Sequence, residues 1–110
     1  MPHYLVTARP KMERLPDLAA RLARDEFRAM QPFGGALTVS LRGARHRADG
    51  SVTWEEEDYC HPPLAEERKA VLDEYFEDLK VQLVRRNTGW RRIKNMPHLF
   101  PAFAESLKYD

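Results

Sequence analysis

The sequence lacks several features that would identify a function directly. Its one cysteine, Cys60, cannot form an internal disulfide, so the fold does not depend on oxidation. Neither a zinc-type cysteine pair nor a glycine-rich phosphate loop is present. No apolar run is long enough to cross a bilayer, and the N-terminus does not read as a secretory signal. We therefore expect a cytoplasmic protein with no membrane contact, no cofactor and no bound metal.

An excess of charge of one sign is also missing, because the formal net charge is only +1. This balance argues against a protein that coats nucleic acid. The charges are nevertheless separated along the chain: residues 1–48 carry nine bases and four acids, residues 49–78 two bases and eleven acids, and residues 80–98 six bases and no acid. Such blocks favour attraction between parts of the chain or between two copies of it.

Length and composition indicate one folded domain. The chain has 110 residues, of which 43% are apolar and 32% charged, which is too apolar for a disordered chain. We predict a single domain over 1–110, with its core in residues 3–86 and a C-terminal extension over residues 87–110.

Hydrophobic periodicity predicts the order of the elements. Residues 3–9, apolar on both faces, and residues 36–42, in which Leu37, Val39 and Leu41 alternate with polar residues, are predicted to be strands. The Asp-Gly pair at 49–50 predicts a hairpin turn into a returning strand over 51–59. Spacings of three and four predict an amphipathic helix over 13–30, and a second helix begins at Leu64. Residues 80–86 fit either the end of this second helix or a fourth strand. We favour the strand, because three strands would leave more apolar edge exposed.

The acids in the third predicted strand fall on both of its faces. This pattern indicates a partly exposed edge strand, where charge discourages pairing with other chains. Its Glu55 to Asp58 segment is then expected to pair with Arg42, Arg45 and Arg47 on the preceding arm of the hairpin.

The element order over residues 3–86 resembles the ferredoxin-like plan and, in a chain of this size, the dimeric α+β-barrel superfamily of small bacterial proteins. The resemblance implies an α+β fold: a β-α-β-β-α-(β) antiparallel sheet with helices on one face, plus the C-terminal extension. In that superfamily two sheets meet face to face, and small-molecule enzymes occur beside proteins of unknown role. The resemblance therefore also implies a homodimer, in which a second copy of the chain covers the open face of the sheet.

One candidate catalytic site lies in residues 55–61. His61 is a candidate general base oriented by Asp58, because histidine titrates near neutral pH. Cys60 beside them is a candidate nucleophile if His61 lowers its pKa. The plainer alternative is an acidic edge strand, a buried inert thiol and a surface histidine, and we favour it because neighbouring residues on a strand point to opposite faces.

A candidate anion-binding site lies in residues 85–94. It comprises Arg85, Arg86, Trp90, Arg91, Arg92 and Lys94. Arginine beside an aromatic ring suits phosphate contact with base stacking, or a carboxylate held by a guanidinium. A solvated surface, or a surface complementary to the acidic segment of a second subunit, explains the same residues, and we favour this explanation.

The predicted function follows from the architecture. We expect the protein to bind a small organic ligand in a cavity between sheet and helices or at a dimer interface. The alternatives are nucleic-acid or polyanion binding through residues 85–94, which is not favoured, and a protein-interaction module. Whether the protein is an enzyme stays open, because no residue pair matches a specific catalytic pattern.

Overall fold

The structure is a computed structural model that describes residues 2–104. These residues form a four-stranded antiparallel sheet with helices packed against it. The strands are β1 (His3–Pro10), β2 (Arg45–His46), β3 (Val52–Glu57) and β4 (Phe76–Val84). The α-helices are α1 (Leu15–Ala23), α2 (Gly34–Arg42), α3 (Ala65–Glu67), α4 (Asp73–Tyr75) and α5 (Thr88–Ile93). Met12–Arg14 and Pro101–Phe103 form 3₁₀ turns, and Arg68–Leu72 is π-helical. The α+β class is therefore confirmed.

The main core lies on one face of the sheet. The strand order is β2-β3-β1-β4, and Val6 of β1 lies opposite Trp54 of β3 and Val81 of β4. Side chains alternate along a strand, so Val6, Ala8, Val52 and Trp54 share one face. All four are buried in a cluster with apolar side chains from the helices and loops, among them Leu18, Leu22, Phe27, Leu37, Leu41, Leu64, Leu72 and Tyr75.

The predicted hairpin turn is confirmed, but the prediction that its second strand is an exposed edge is wrong. Gly50 has a φ of 88°, and Arg47 and Ser51 are joined by a backbone hydrogen bond. β3 lies between β1 and β2, and every residue from Val52 to Glu56 is buried. The two-residue β2 is the edge strand on this side of the sheet.

The predicted pairing of arginines with the acids of β3 is also wrong. Arg42 lies 3.6 Å from Asp25, and Arg47 lies 3.9 Å from Asp49. Arg45 donates to the backbone carbonyls of Lys94 and Met96 instead. Arg42 belongs to α2, and the two residues of β2 pair only with Val52 and Thr53, so these arginines do not lie opposite the acidic half of β3.

The predicted helix over 13–30 begins close to its expected start and ends early. α1 stops at Ala23, and Asp25 adopts a left-handed φ of 58°. The Glu26 N–H donates to the Arg21 carbonyl and the Asp25 N–H to the Leu22 carbonyl, which is the Schellman pattern. Aspartate occupies the position where glycine usually signals this ending, so the periodicity alone did not reveal it.

The predicted strand over 36–42 is wrong, because these residues lie in α2. Leu37 and Leu41 are four residues apart and fully buried, as one face of a helix requires. Val39, which alternation places beside them, is 49% exposed. The Thr38 hydroxyl donates to the Gly34 carbonyl at 2.7 Å, which satisfies this buried hydroxyl within the helix.

The fourth strand is confirmed and is longer than expected. Residues 65–75 form one continuous helical segment with a π-helical centre, and β4 follows immediately at Phe76. β4 pairs with β1 alone and forms the other edge, where Leu83 is 69% exposed.

The expectation that helices cover only one face of the sheet is wrong. Leu5 and Glu55 pair across β1 and β3 and point away from the main core. α5 packs on this opposite face, since a Cβ on Gly89 would lie 3.2 Å from Leu5 Cδ1. The apolar open face from which we predicted a homodimer is thus partly covered by the chain itself. The predicted C-terminal extension contributes to the main core through Phe100, which is buried there. Leu107 of the same extension lies outside the described residues.

Candidate functional site

A cavity of about 340 Å³ opens between the start of α2 and the segment that follows β3. Its apolar wall comes from Pro32, Phe33 and Ala36, and its polar wall from Glu57, Asp58, Tyr59, Cys60, Glu66 and Glu67. None of these residues is basic. Among the residues that the structure describes, the nine that line this cavity therefore supply no positive charge to its acidic end.

Asp58 is fixed in the acidic wall by the backbone of the following loop. Its Oδ2 accepts the Leu64 N–H at 2.6 Å and the Cys60 N–H at 3.1 Å. Leu64 has a left-handed φ of 64°, a conformation that is costly for a branched residue and that aims its N–H at the carboxylate. Burial opposes ionisation of Asp58, but the hydrogen bonds from Leu64, Glu67 and Cys60 lower the pKa of this carboxyl. Asp58 is therefore the ionised member of the cluster.

Glu67 faces Asp58 from the end of α3, where the π-helical turn begins. π-Helical turns inside helices recur at functional sites, because they change the direction in which side chains project. Burial and the hydrogen bond to Asp58 raise the pKa of Glu67 to about 7. Glu67 thus holds a proton close to neutral pH, as a general acid or base would.

Glu56 extends the acidic cluster into the core. It is 1% exposed, and its Oε1 accepts the Trp54 indole N–H at 2.9 Å. Burial raises the pKa of Glu56 well above its usual range, despite the hydrogen bond from Trp54. Glu56 also shares a carboxyl–carboxyl hydrogen bond with Glu67. A chain of three carboxyl groups, Glu56, Glu67 and Asp58, therefore runs from the core to the cavity.

The pairing of His61 with Asp58 predicted from the sequence is not seen in the described residues. His61 is exposed and does not line the cavity, and no hydrogen bond or ion pair joins it to Asp58 or Cys60 there. Cys60 is half-buried, with its Sγ 3.7 Å from Glu67 Oε1. Burial, together with Asp58 and Glu67, raises the pKa of the Cys60 thiol, so His61 does not activate it.

The predicted anion-binding residues are spread over the end of β4 and α5. Arg85, Arg86, Arg91, Arg92 and Lys94 are all exposed. Trp90 is half-buried, and its ring approaches α2 so closely that a Cβ on Gly43 would lie 3.1 Å from it. Arg86 and Trp90 do share a second cavity, of about 410 Å³, with His3, Arg28, Glu55 and Glu57. Its mixed charge does not single out an anion.

Glu55, adjacent to the acidic cluster in sequence, has a different role because its side chain points to the opposite face. Its carboxylate accepts the N–H groups of Asn87 and Gly89, both at 2.8 Å, and that of Trp90 at 3.3 Å. These are the unpaired N–H groups at the start of α5, so Glu55 caps this helix from a strand.

Replacing Glu55 with glutamine tests this cap. We expect the free energy of unfolding to fall by about 2 kcal/mol, because an amide is a weaker acceptor and turns an NH₂ group toward buried N–H groups. Urea denaturation measures the change, with Glu77→Gln on exposed β4 as the matched control. Equal stability of the two variants would show that the cap contributes little.

The comparisons with known proteins add no relative. No family model, no curated protein and no solved structure matches this chain. Among residues 2–104, every helix is too short or too polar to cross a membrane. The function must therefore be argued from the site itself.

Two of the most informative residues, Glu56 and Glu67, were missed by the sequence reasoning. The run Glu55 to Asp58 was noted, but it was assigned to a solvated edge. Glu67 was not singled out among the acids near the start of the second predicted helix. The left-handed Leu64 and the π-helical turn, which orient these groups, have no signature in the sequence.

Proposed function

We propose that this protein binds a small organic molecule in the 340 Å³ cavity beside Asp58 and Glu67. The ligand class follows from the lining: an apolar body fits against Pro32, Phe33 and Ala36, and a basic amine fits the acidic wall. The observation that carries the proposal is the absence of any basic residue among the nine that line the cavity. An ionised carboxylate without a cationic partner attracts a ligand that supplies the positive charge.

The ligand class can be tested with three matched probes that share an aromatic body: benzylamine, benzyl alcohol and benzoate. Amide NMR spectra recorded during titration should show saturable shifts at Phe33, Tyr59 and Cys60 with the amine. The alcohol should bind more weakly, and the carboxylate should not bind because of repulsion by the acidic wall. Preference for the carboxylate would contradict the proposal.

A cavity-filling variant locates the binding site. Ala36 is exposed at the mouth of the cavity, so Ala36→Phe should fill the space without disturbing the core and weaken amine binding at least tenfold. Ala23→Phe, the same change at an exposed position of α1, is the control and should bind as the unmodified chain does. Equal affinity in both variants would place the ligand elsewhere.

We also propose that the domain follows the ferredoxin-like plan. The support is the β2-β3-β1-β4 order, with antiparallel pairing throughout and helical connections after β1 and β3. The α+β-barrel homodimer, polyanion binding through residues 85–94 and a role as an interaction module stay predictions. The packing of α5 on the second face and of Trp90 against α2 gives them less support than the cavity gives ligand binding.

A further inference from the structure

We infer that Asp58, Cys60 and Glu67 form a binding site for a divalent transition-metal ion of the Zn²⁺ type. One donor atom from each residue lies within 4.8 Å of the other two. Neighbouring sulfur and oxygen ligands of a tetrahedral zinc ion are about 3.5 Å apart, given the usual metal–ligand bond lengths. The 3.7 Å between Cys60 Sγ and Glu67 Oε1 is already close to that separation.

Unsatisfied buried oxygens are a second, independent observation at this place. Glu67 is fully buried and Glu56 is 1% exposed, yet Oε2 of each has no hydrogen-bond donor among the described residues. Buried polar groups in proteins are hydrogen-bonded, paired with a base or bound to a metal, and no basic residue lines this cavity. The unpartnered Oε2 of Glu67 is therefore an acceptor that a divalent ion at this place would satisfy.

The donor set favours a zinc-type ion over calcium or magnesium. A thiolate is a soft ligand that Zn²⁺ accepts, whereas Ca²⁺ and Mg²⁺ require six or more oxygen ligands. Three protein ligands leave the fourth position of a tetrahedral ion open, and all three residues line the cavity. Glu56 accepts the Trp54 indole N–H and is hydrogen-bonded to Glu67. It can therefore orient the Glu67 carboxyl toward the metal without binding the metal itself.

This inference goes beyond the proposed organic ligand, because it assigns an inorganic ion to the acidic end of the cavity. It also differs from the sequence-based expectation of no bound metal. His61 lies outside the donor set, and Cys60, Asp58 and Glu67 lie on a loop and a helix that only the fold brings together.

The test uses the untagged, chelator-treated chain titrated with ZnCl₂ by calorimetry and with Co²⁺ by absorption spectroscopy. We expect a single zinc site, and a cobalt complex with the intense near-ultraviolet band of a metal–thiolate bond. Cys60→Ser should abolish that band, and Glu67→Gln should weaken zinc binding at least tenfold. Glu77→Gln, at an exposed position of β4, and His61→Ala are the controls and should bind zinc as the unmodified chain does.

Two outcomes would overturn the inference: no zinc binding at tens of micromolar, or binding that His61→Ala removes and Cys60→Ser does not. Ala36→Phe separates this site from the proposed organic ligand, because it should block the amine and leave zinc binding intact. In the unmodified chain, zinc binding without amine binding rejects the proposed function. Amine binding without zinc binding rejects the metal site.

Discussion

Replacing Gly34 with alanine is expected to lower the free energy of unfolding by about 3 kcal/mol, at the upper end of the usual cost of overpacking. A Cβ at this position would lie 2.1 Å from the Phe27 carbonyl oxygen and 2.7 Å from that of Arg28. Both atoms belong to the backbone, so no side-chain rotation relieves the clash. The turn before α2 must shift, and with it Phe33 of the cavity wall.

The neighbouring glycine is the matched control. A Cβ at Gly35 would meet nothing within 4 Å, and the residue lies in the same helix. Gly35→Ala should therefore leave stability unchanged or raise it by up to about 1 kcal/mol, as the helix propensity of alanine predicts. Guanidinium denaturation of both variants measures the difference. If Gly34→Ala is as stable as Gly35→Ala, the carbonyl groups of Phe27 and Arg28 do not pack tightly against Gly34.

The strands of the sheet could be predicted from the sequence where the local residue pattern and the final fold favour the same structure. β1 carries apolar side chains on both faces, and Asp49-Gly50 marks the turn into β3 by its own backbone chemistry. β4 followed from a global argument, the need to cover an apolar edge, and not from periodicity. β1 and β3 were found because their local signals have one explanation, whereas the residues of β4 fitted a helix as well.

α2 was assigned wrongly because its pattern has two explanations. Leu37, Val39 and Leu41 alternate as in a strand, yet Leu37 and Leu41 are also one helical turn apart. A window of nine residues does not separate the two periods. The decision comes from tertiary packing, which buries both leucines and leaves Val39 in solvent.

The acidic cluster was hidden for a different reason. Four consecutive acidic residues predict a solvent-exposed edge strand if every carboxyl group is assumed to be charged. Glu56 lies in the interior because burial raises its pKa, and a neutral carboxyl bonded to an indole is tolerated there. Sequence reasoning did single out Asp58 and Cys60 as members of a candidate site. It chose His61 as their partner because the approach of Glu67 depends on the fold.

The stability of the metal-free chain is expected to fall as pH rises from about 5 to about 8, by about 3 kcal/mol. Glu67 has a pKa of about 7 in the folded protein and an ordinary value of 4.5. Between these values the folded state binds more protons than the unfolded state, so raising the pH favours unfolding. The stabilisation is complete below about pH 4.5 and is lost as the pH passes through 7. The raised pKa of Glu56 acts in the same direction.

Glu67→Gln should remove most of this slope, because a glutamine amide donates to Asp58 and accepts from Glu56 as the protonated acid does, and it does not titrate. The variant should therefore match the unmodified chain near pH 5 and exceed it in stability near pH 8. Urea denaturation in chelator-containing buffers at both pH values provides the measurement. Glu66→Gln, at the exposed neighbouring position, should keep the original slope. A slope unchanged by Glu67→Gln would mean that another group carries the proton. Stability that rises over this range would mean that the buried carboxyls are already ionised and paired with a cation.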